Sequence, residues 1–209
     1  VLSKFLQLDS EKRQRIIDAA LEEFAHKGYK NASTNEIVQK ANIAKGLLFH
    51  YFASKQSLFQ YLVDYSWDIF ITDFYNRVDY AETDFMRRWQ KVIELKIELT
   101  QRHPDLYDFV MTAVADTSPE AKDTLESKIK NSTEDGLERM LRGIDTSRFR
   151  DDVNVPRVIQ MVMWVAQGIS NREIEKLKSD PEYRTTYDIH AVMAEVSEYM
   201  NLLTTAFYK

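Results

Sequence analysis

The chain of 209 residues contains no cysteine. Thiol catalysis, disulfide scaffolds and cysteine-based zinc sites are therefore excluded, and a reducing compartment fits. Five glycines and four prolines are few for this length, which argues against a turn-dense all-β fold. Long apolar runs are scarce as well. The longest uncharged run from the middle onward lies between Arg157 and Arg172, fourteen residues, short of the ~18 that suggest a membrane span. The opening V-L-S-K-F-L-Q-L-D-S is too short and too soon charged for a signal peptide. The expectation is a cytoplasmic protein without a membrane partner. His26, His50, His103 and His190 show no ligand spacing, so no metal is expected. With no phosphate loop and no nucleophile elbow, neither an enzyme nor a bound cofactor is expected.

The net charge of -5 is unevenly spread. Residues 1–60 hold nine Lys/Arg against six Asp/Glu, and the remainder holds nineteen against twenty-seven. A basic N-terminal module on an acidic body is an asymmetry that points to nucleic acid.

Helix punctuation is legible along the chain. Asp9 or Ser10 can cap a helix running to about Lys27, with Ile16, Ala20 and Phe24 on one face and Gly28 ending it. Ser33-Thr34-Asn35-Glu36 reads as a capping box that opens a short helix with Ile37 and Ala41 inward. Asn42 tolerates the left-handed turn that follows. A second short helix runs from Lys45 to about Tyr51, and Ser54 caps a long one from Lys55 to roughly Val78. Ser118-Pro119 and Asp180-Pro181 read as cap-plus-proline starts, and Pro104 and Pro156 mark two more. No segment alternates long enough to be a strand. The pattern predicts an all-α fold of about nine helices.

Two short helices joined by a tight turn suit groove reading, the second entering the major groove while the first braces it. Leu48 and Phe52 face Ile37 and Ala41 as core, leaving Lys45, Gly46, Leu47, Phe49 and His50 outward. The stretch T-N-E-I-V-Q-K-A-N-I-A-K-G-L-L-F-H-Y-F-A-S-K-Q-S-L, residues 34–58, resembles the DNA-binding domain of TetR/AcrR-family regulators. The likeness in motifs covers about Asp9 to Phe59; the rest agrees only in length, helix count and apolar character.

The resemblance implies roles for particular residues. Ser33 and Thr34 would touch phosphate at the start of the bracing helix. Lys45, Gly46 and Leu47 would meet bases or backbone, and Phe49, His50 and Tyr51 would lie along the sugar-phosphate wall. Lys55 would anchor a phosphate at the next helix start, where backbone amides also attract an anion. Phe49 and Tyr51 have core packing as the alternative reading. Two residues depart from the family pattern. Ala44 stands where a Ser or Thr usually caps the recognition helix, and Leu47 where a small polar residue is common. Both losses bear on hydrogen-bonded readout, though Leu47 can meet a thymine methyl.

The domain boundaries expected are 1–54 for a three-helix helix-turn-helix DNA-binding domain and 55–209 for a helical effector-binding and dimerisation domain. The segment from Arg157 to Leu177 is apolar nearly all round, with a narrow polar stripe at Gln160, Gln167 and Asn171. A helix without a wide polar face is buried on two sides, and the family resemblance implies homodimers packed through the last two helices. From Asp84 to Gln101 the apolar arc holds Phe85, Trp89, Val92 and Leu99, with Lys96 in its middle. That lysine pairs with Asp73 in the core, snorkels its charged head to water along an apolar stem, or meets an anionic or carbonyl-bearing effector. Trp89, Phe70, Phe74, Tyr107 and Trp164 are candidates to line the same pocket, with plain core packing as the alternative.

The expected function is a homodimeric transcriptional repressor that binds a palindromic double-stranded DNA operator and is released by a small-molecule effector. The competing reading is an adaptor that keeps the fold but binds protein, suggested by Ala44, Leu47 and the modest basic excess.

Overall fold

Asp9 accepts the Lys12 amide at 2.8 Å and so starts the first long helix where the sequence places it. Residues 2–209 are described by the computed structural model, with the side chains of all but 126, 127, 129–135, 137 and 181. The helices are α1 (Leu2–Leu6), α2 (Ser10–Asn31), α3 (Thr34–Lys40), α4 (Lys45–Phe52), α5 (Lys55–Arg77) and α6 (Phe85–Arg102). They continue as α7 (Pro104–Ala115), α8 (Pro119–Leu141), α9 (Val155–Ser179), α10 (Pro181–Thr186) and α11 (Ile189–Phe207). Among the described residues there is no strand, only an isolated bridge between Phe149 and Tyr208.

The helices outnumber the expected nine for two local reasons. Leu2, Phe5 and Leu6 form a short helix ahead of the Asp9 cap. Near the other end, Asp188 is a second cap eight residues after Asp180, accepting the His190 amide, so one anticipated helix is divided into α10 and α11. Two anticipated caps also differ. Ser33 precedes α3 but its side chain makes no capping bond, and the Ser118 hydroxyl ahead of α8 has no hydrogen-bond partner among the described residues.

The chain divides into two compact units, residues 1–71 with 103–129, and residues 72–102 with 130–209. The first has a continuous apolar core built from Ile16, Ala20 and Phe24 of α2, Ile37 and Ala41, Leu48 and Phe52 of α4, Phe59 of α5 and Phe109 of α7. Phe59 lies 5.3 Å from Phe24 and 5.7 Å from Phe109, ring centre to ring centre, in edge-on contacts. Burying each such side chain stabilises the fold by about 1.5–3 kcal/mol. α7 packs along α2, and the Thr112 hydroxyl donates to the Ala25 carbonyl at 2.9 Å.

Gly28 breaks α2 near its end with φ 68°, a left-handed backbone that glycine adopts without steric cost. The Asp116 carboxylate, just past α7, accepts the Tyr29 amide at 2.6 Å. A Cβ on Gly28 would lie 3.1 Å from that same carboxylate oxygen. Both backbone freedom and close approach therefore favour glycine here.

In the second unit α11 packs against α6 and α9. Arg88 of α6, only 1% exposed, donates to the carbonyls of Tyr80, Glu82, Met140 and Arg142. A buried guanidinium thus ties the turn before α6 to the C-terminal end of α8, where carbonyls carry negative partial charge. Asp84 binds the Arg87 amide, the Tyr208 hydroxyl and Arg148. Burial pushes its carboxyl pKa up, but these donors outweigh it and hold the value below the ordinary one. Arg172 of α9 reaches Glu195 of α11 with two donors, at 2.8 and 2.5 Å.

Candidate nucleic-acid interface

α3 and α4 owe their relative placement to a short turn. Asn42 takes φ 52°, and the Ile43 amide bonds the Val38 carbonyl at 3.0 Å. Ile37, Ala41, Leu48 and Phe52 are buried together in the core. With those positions inward, α4 presents Lys45, Gly46, Leu47, Phe49 and His50 to solvent. Leu47 and Phe49 are each 37% exposed, an unusual state for large apolar side chains on so short a helix. Nothing lies within 4 Å of a Cβ built on Gly46, so the backbone there is open to close approach.

The start of α3 is capped from another helix. Glu23 of α2 is buried and accepts the Ser33 amide at 2.8 Å, with Lys27 beside it at 3.0 Å. Burial raises the Glu23 pKa, yet the Ser33 amide and Lys27 pull it below the ordinary value. The anticipated capping box is replaced by this longer-range bond, and Glu36 stays exposed. Ser33 and Thr34 remain half-buried at the helix start. Ala44 precedes α4 without a side-chain cap, as its methyl group dictates.

Two anticipated phosphate contacts are placed differently from the rest. Tyr51 is 6% exposed, with its ring centre 5.9 Å from those of Phe5 and His50. Its ring is part of the core rather than the groove wall. The Lys55 ammonium donates to the carbonyls of Tyr29, Lys30 and Ala32 at 2.7, 3.2 and 3.2 Å. An ammonium has three donors, and all three are occupied at the end of α2. In this structure Lys55 holds the end of α2 against the start of α5.

The effector candidates are dispersed. Lys96, Trp89 and Phe74 belong to the unit of residues 72–102 and 130–209, and Phe70 and Tyr107 to the other. Trp89 is buried and its indole N–H has no partner among the described residues. Lys96 lies seven residues on, on the same face of α6. Its anticipated partner, Asp73, instead lies 3.7 Å from Arg102, and Lys96 makes no ion pair among the described residues. Trp164 is 65% exposed on α9, so within one chain it lines no enclosed pocket. Met161 and Gly168 share its face, and both are exposed.

The most informative residue missed by sequence reasoning is Lys4, whose ammonium lies 3.2 Å from His50 Nε2. The spacing of Leu2, Phe5 and Leu6 just before a helix cap was the signal that could have revealed α1. Among the described residues no cluster of His, Cys, Asp and Glu could hold a metal ion, and no helix is long and apolar enough to cross a membrane.

Comparison with known proteins bears on this geometry. Residues 16–62 match the model for bacterial regulatory proteins of the tetR family. The uncharacterized HTH-type transcriptional regulator YuxN of Bacillus subtilis is 41% identical over 58 residues, 28% of this chain and 20% of YuxN. The chain thus spans only a fifth of that relative's length. The HTH-type transcriptional repressor AcnR of Corynebacterium diphtheriae is 24% identical over 168 residues, 78% of this chain and 81% of AcnR. Among solved structures, FadR from Bacillus subtilis in complex with stearoyl-CoA shares the fold with a TM-score of 0.62. It is 21% identical, and the match covers 90% of this chain and 96% of FadR. The helix-turn-helix match lies on α2 to α5, so residues 16–62 are similar to the DNA-binding segment of tetR-family regulatory proteins, and the chain shares its all-helical fold with solved transcriptional regulators such as FadR.

Proposed function

We propose that the chain is a homodimeric repressor that binds a palindromic DNA operator in the cytoplasm and is released by a small-molecule effector. The outward row of Lys45, Gly46, Leu47, Phe49 and His50 on a helix locked by Leu48 and Phe52 carries the reading. Such a helix fits the major groove, with Leu47 and Phe49 available to thymine methyls and Lys45 to bases or backbone. Ser33 and Thr34 stand at the bracing helix start for phosphate contact. The DNA-reading head is residues 1–54, and residues 55–209 bind the effector and the second subunit.

An exposed apolar face on α9 and α11 supports dimerisation. Met161 and Trp164 lie on α9, Tyr199 and Leu202 on α11, and all four are large and exposed in the single chain. A two-fold dimer reads a two-fold operator, hence the palindrome. Release by an effector finds support in the bond from Asp116 to Tyr29, since a ligand that moves α7 pulls directly on the end of α2. FadR holds stearoyl-CoA, an anionic amphiphile. Within the unit of residues 72–102 and 130–209, Lys96 and the Trp89 N–H, which has no partner among the described residues, offer a cation and a donor to a ligand of that class, and Phe74 offers apolar surface to its chain.

The test is a titration of the purified chain into the duplex upstream of its own gene, repeated across salt concentrations and with stearoyl-CoA added. The reading expects tight binding with a steep salt dependence and loss of binding on adding the acyl-CoA. Absence of any duplex binding, with capture of a protein partner instead, would favour the adaptor reading.

A further inference from the structure

α1 is held onto the recognition helix by a buried anchor. Phe5 is 0% exposed, and its ring centre lies 4.7 Å from Phe52 and 5.2 Å from Tyr61. Arg13 of α2 closes the end of the short helix by donating to the Leu6 carbonyl at 3.0 Å. A five-residue helix has no stability of its own in water. Its position comes from that aromatic socket.

The residue before the anchor points the other way. Lys4 is exposed, makes no ion pair among the described residues, and sets its ammonium 3.2 Å from Nε2 of His50. An ammonium only donates, so Nε2 accepts in this contact and two N–H groups of Lys4 remain open. His50 lies on the outward side of α4 with Lys45, Leu47 and Phe49. A carboxylate would be the ordinary neighbour for a tethered surface lysine; here the cation stands beside another basic side chain. That arrangement suits a polyanion spanning both groups.

We propose that α1 delivers Lys4 to the DNA backbone, where Lys4 and His50 together grip a phosphate flanking the groove that α4 reads. The proposal rests on the DNA-binding reading above. Phe5 fixes the arm before DNA arrives, so less freedom is lost on contact than with a lysine on a loose terminus. The contact is to phosphate and carries no sequence preference.

The experiment compares the wild-type chain with Lys4→Gln, Lys4→Arg and Phe5→Ala on the duplex upstream of its own gene and on an unrelated duplex, across salt concentrations. Lys4→Gln should flatten the slope of log K against log salt by about one. With the proteins converging at 1 M salt, that slope difference is an affinity loss of about ten-fold at 0.1 M, alike on both duplexes. Lys4→Arg should restore the slope. Phe5→Ala should lose it despite keeping Lys4, with melting curves confirming a folded protein. A wild-type slope in Lys4→Gln, or a loss confined to one duplex with the slope unchanged, overturns the proposal while leaving the DNA-binding reading in place. A wild-type chain that binds neither duplex overturns both.

Discussion

Lys55 and Tyr29 meet twice. The Lys55 ammonium donates to the Tyr29 carbonyl at 2.7 Å and also lies 4.8 Å from the centre of the Tyr29 ring. The same tyrosine gives its amide to Asp116 at 2.6 Å. One residue is thus held from the start of α5 and from the end of α7. Its carbonyl and ring face a cation, and its amide faces a carboxylate.

The first prediction follows from that arrangement. Lys55→Met removes three charge-assisted bonds to carbonyls at the end of α2, and should lower stability by about 1–3 kcal/mol. DNA affinity should fall with it, but the salt slope should stay at the wild-type value because no phosphate contact is lost. Thermal melting and a salt titration check the two halves. A slope reduced by about one with melting unchanged would return Lys55 to the phosphate.

The difference between Lys55 and Leu48 shows which parts of the site were legible in the sequence. Leu48 and Phe52 are placed by helical period against Ile37 and Ala41, and periodicity is a local signal. The same holds for Asp9, Asn42 and Asp180, whose roles depend on the next two or three residues. Lys55 finds its partners 23–26 residues away, and Glu23 replaces a local cap at Ser33 from ten residues back. No pattern of spacing encodes those choices; they depend on how the helices pack. Arg88 was hidden for the same reason, since its four carbonyls come from two separate turns of chain.

Arg88 should be among the residues least tolerant of change. Arg88→Met keeps the apolar stem but leaves the carbonyls of Met140 and Arg142 without their donor in a buried setting. The expected cost is about 3–5 kcal/mol. Arg88→Lys should recover only part of it, because a point charge with three donors cannot reproduce a planar fork spread over four acceptors. Chemical denaturation of the two variants measures this, and near-wild-type stability in Arg88→Met would show that the carbonyls find water.

The proposed dimer has a clean probe in Gly168. A Cβ there meets nothing within 4 Å, so Gly168→Arg fits the single chain without strain. On the face shared with Met161 and Trp164 it would place an unpaired charge in the seam between subunits. The variant should sediment as a folded monomer and lose operator affinity, since a palindrome then binds one head at a time. A wild-type chain that is itself monomeric at micromolar concentration would remove the dimer from the proposal.

Lys96 separates stability from response. Desolvation pushes its ammonium pKa down, with no acidic neighbour opposing the shift. The Lys96 side chain is nonetheless exposed, so water offsets most of that penalty and its effect on stability is small. Between the lowered value and the ordinary lysine value of ~10.4 the unfolded chain binds more protons than the folded one. Stability contributed at this site therefore rises with pH across that window. Lys96→Met removes what penalty remains, so it should leave the melting temperature at pH 7 unchanged or slightly raised, with any advantage shrinking as pH approaches ~10.4. Operator binding should be intact, and release by stearoyl-CoA should be lost, because the cation that meets the anionic end is gone. Asp73 lies near Arg102, so a hidden pair with Lys96 does not stand in the way of this outcome. Melting and operator binding of Lys96→Met, each with and without the acyl-CoA, decide it: a destabilised variant that still releases normally would make Lys96 a structural residue and end its assignment to the effector.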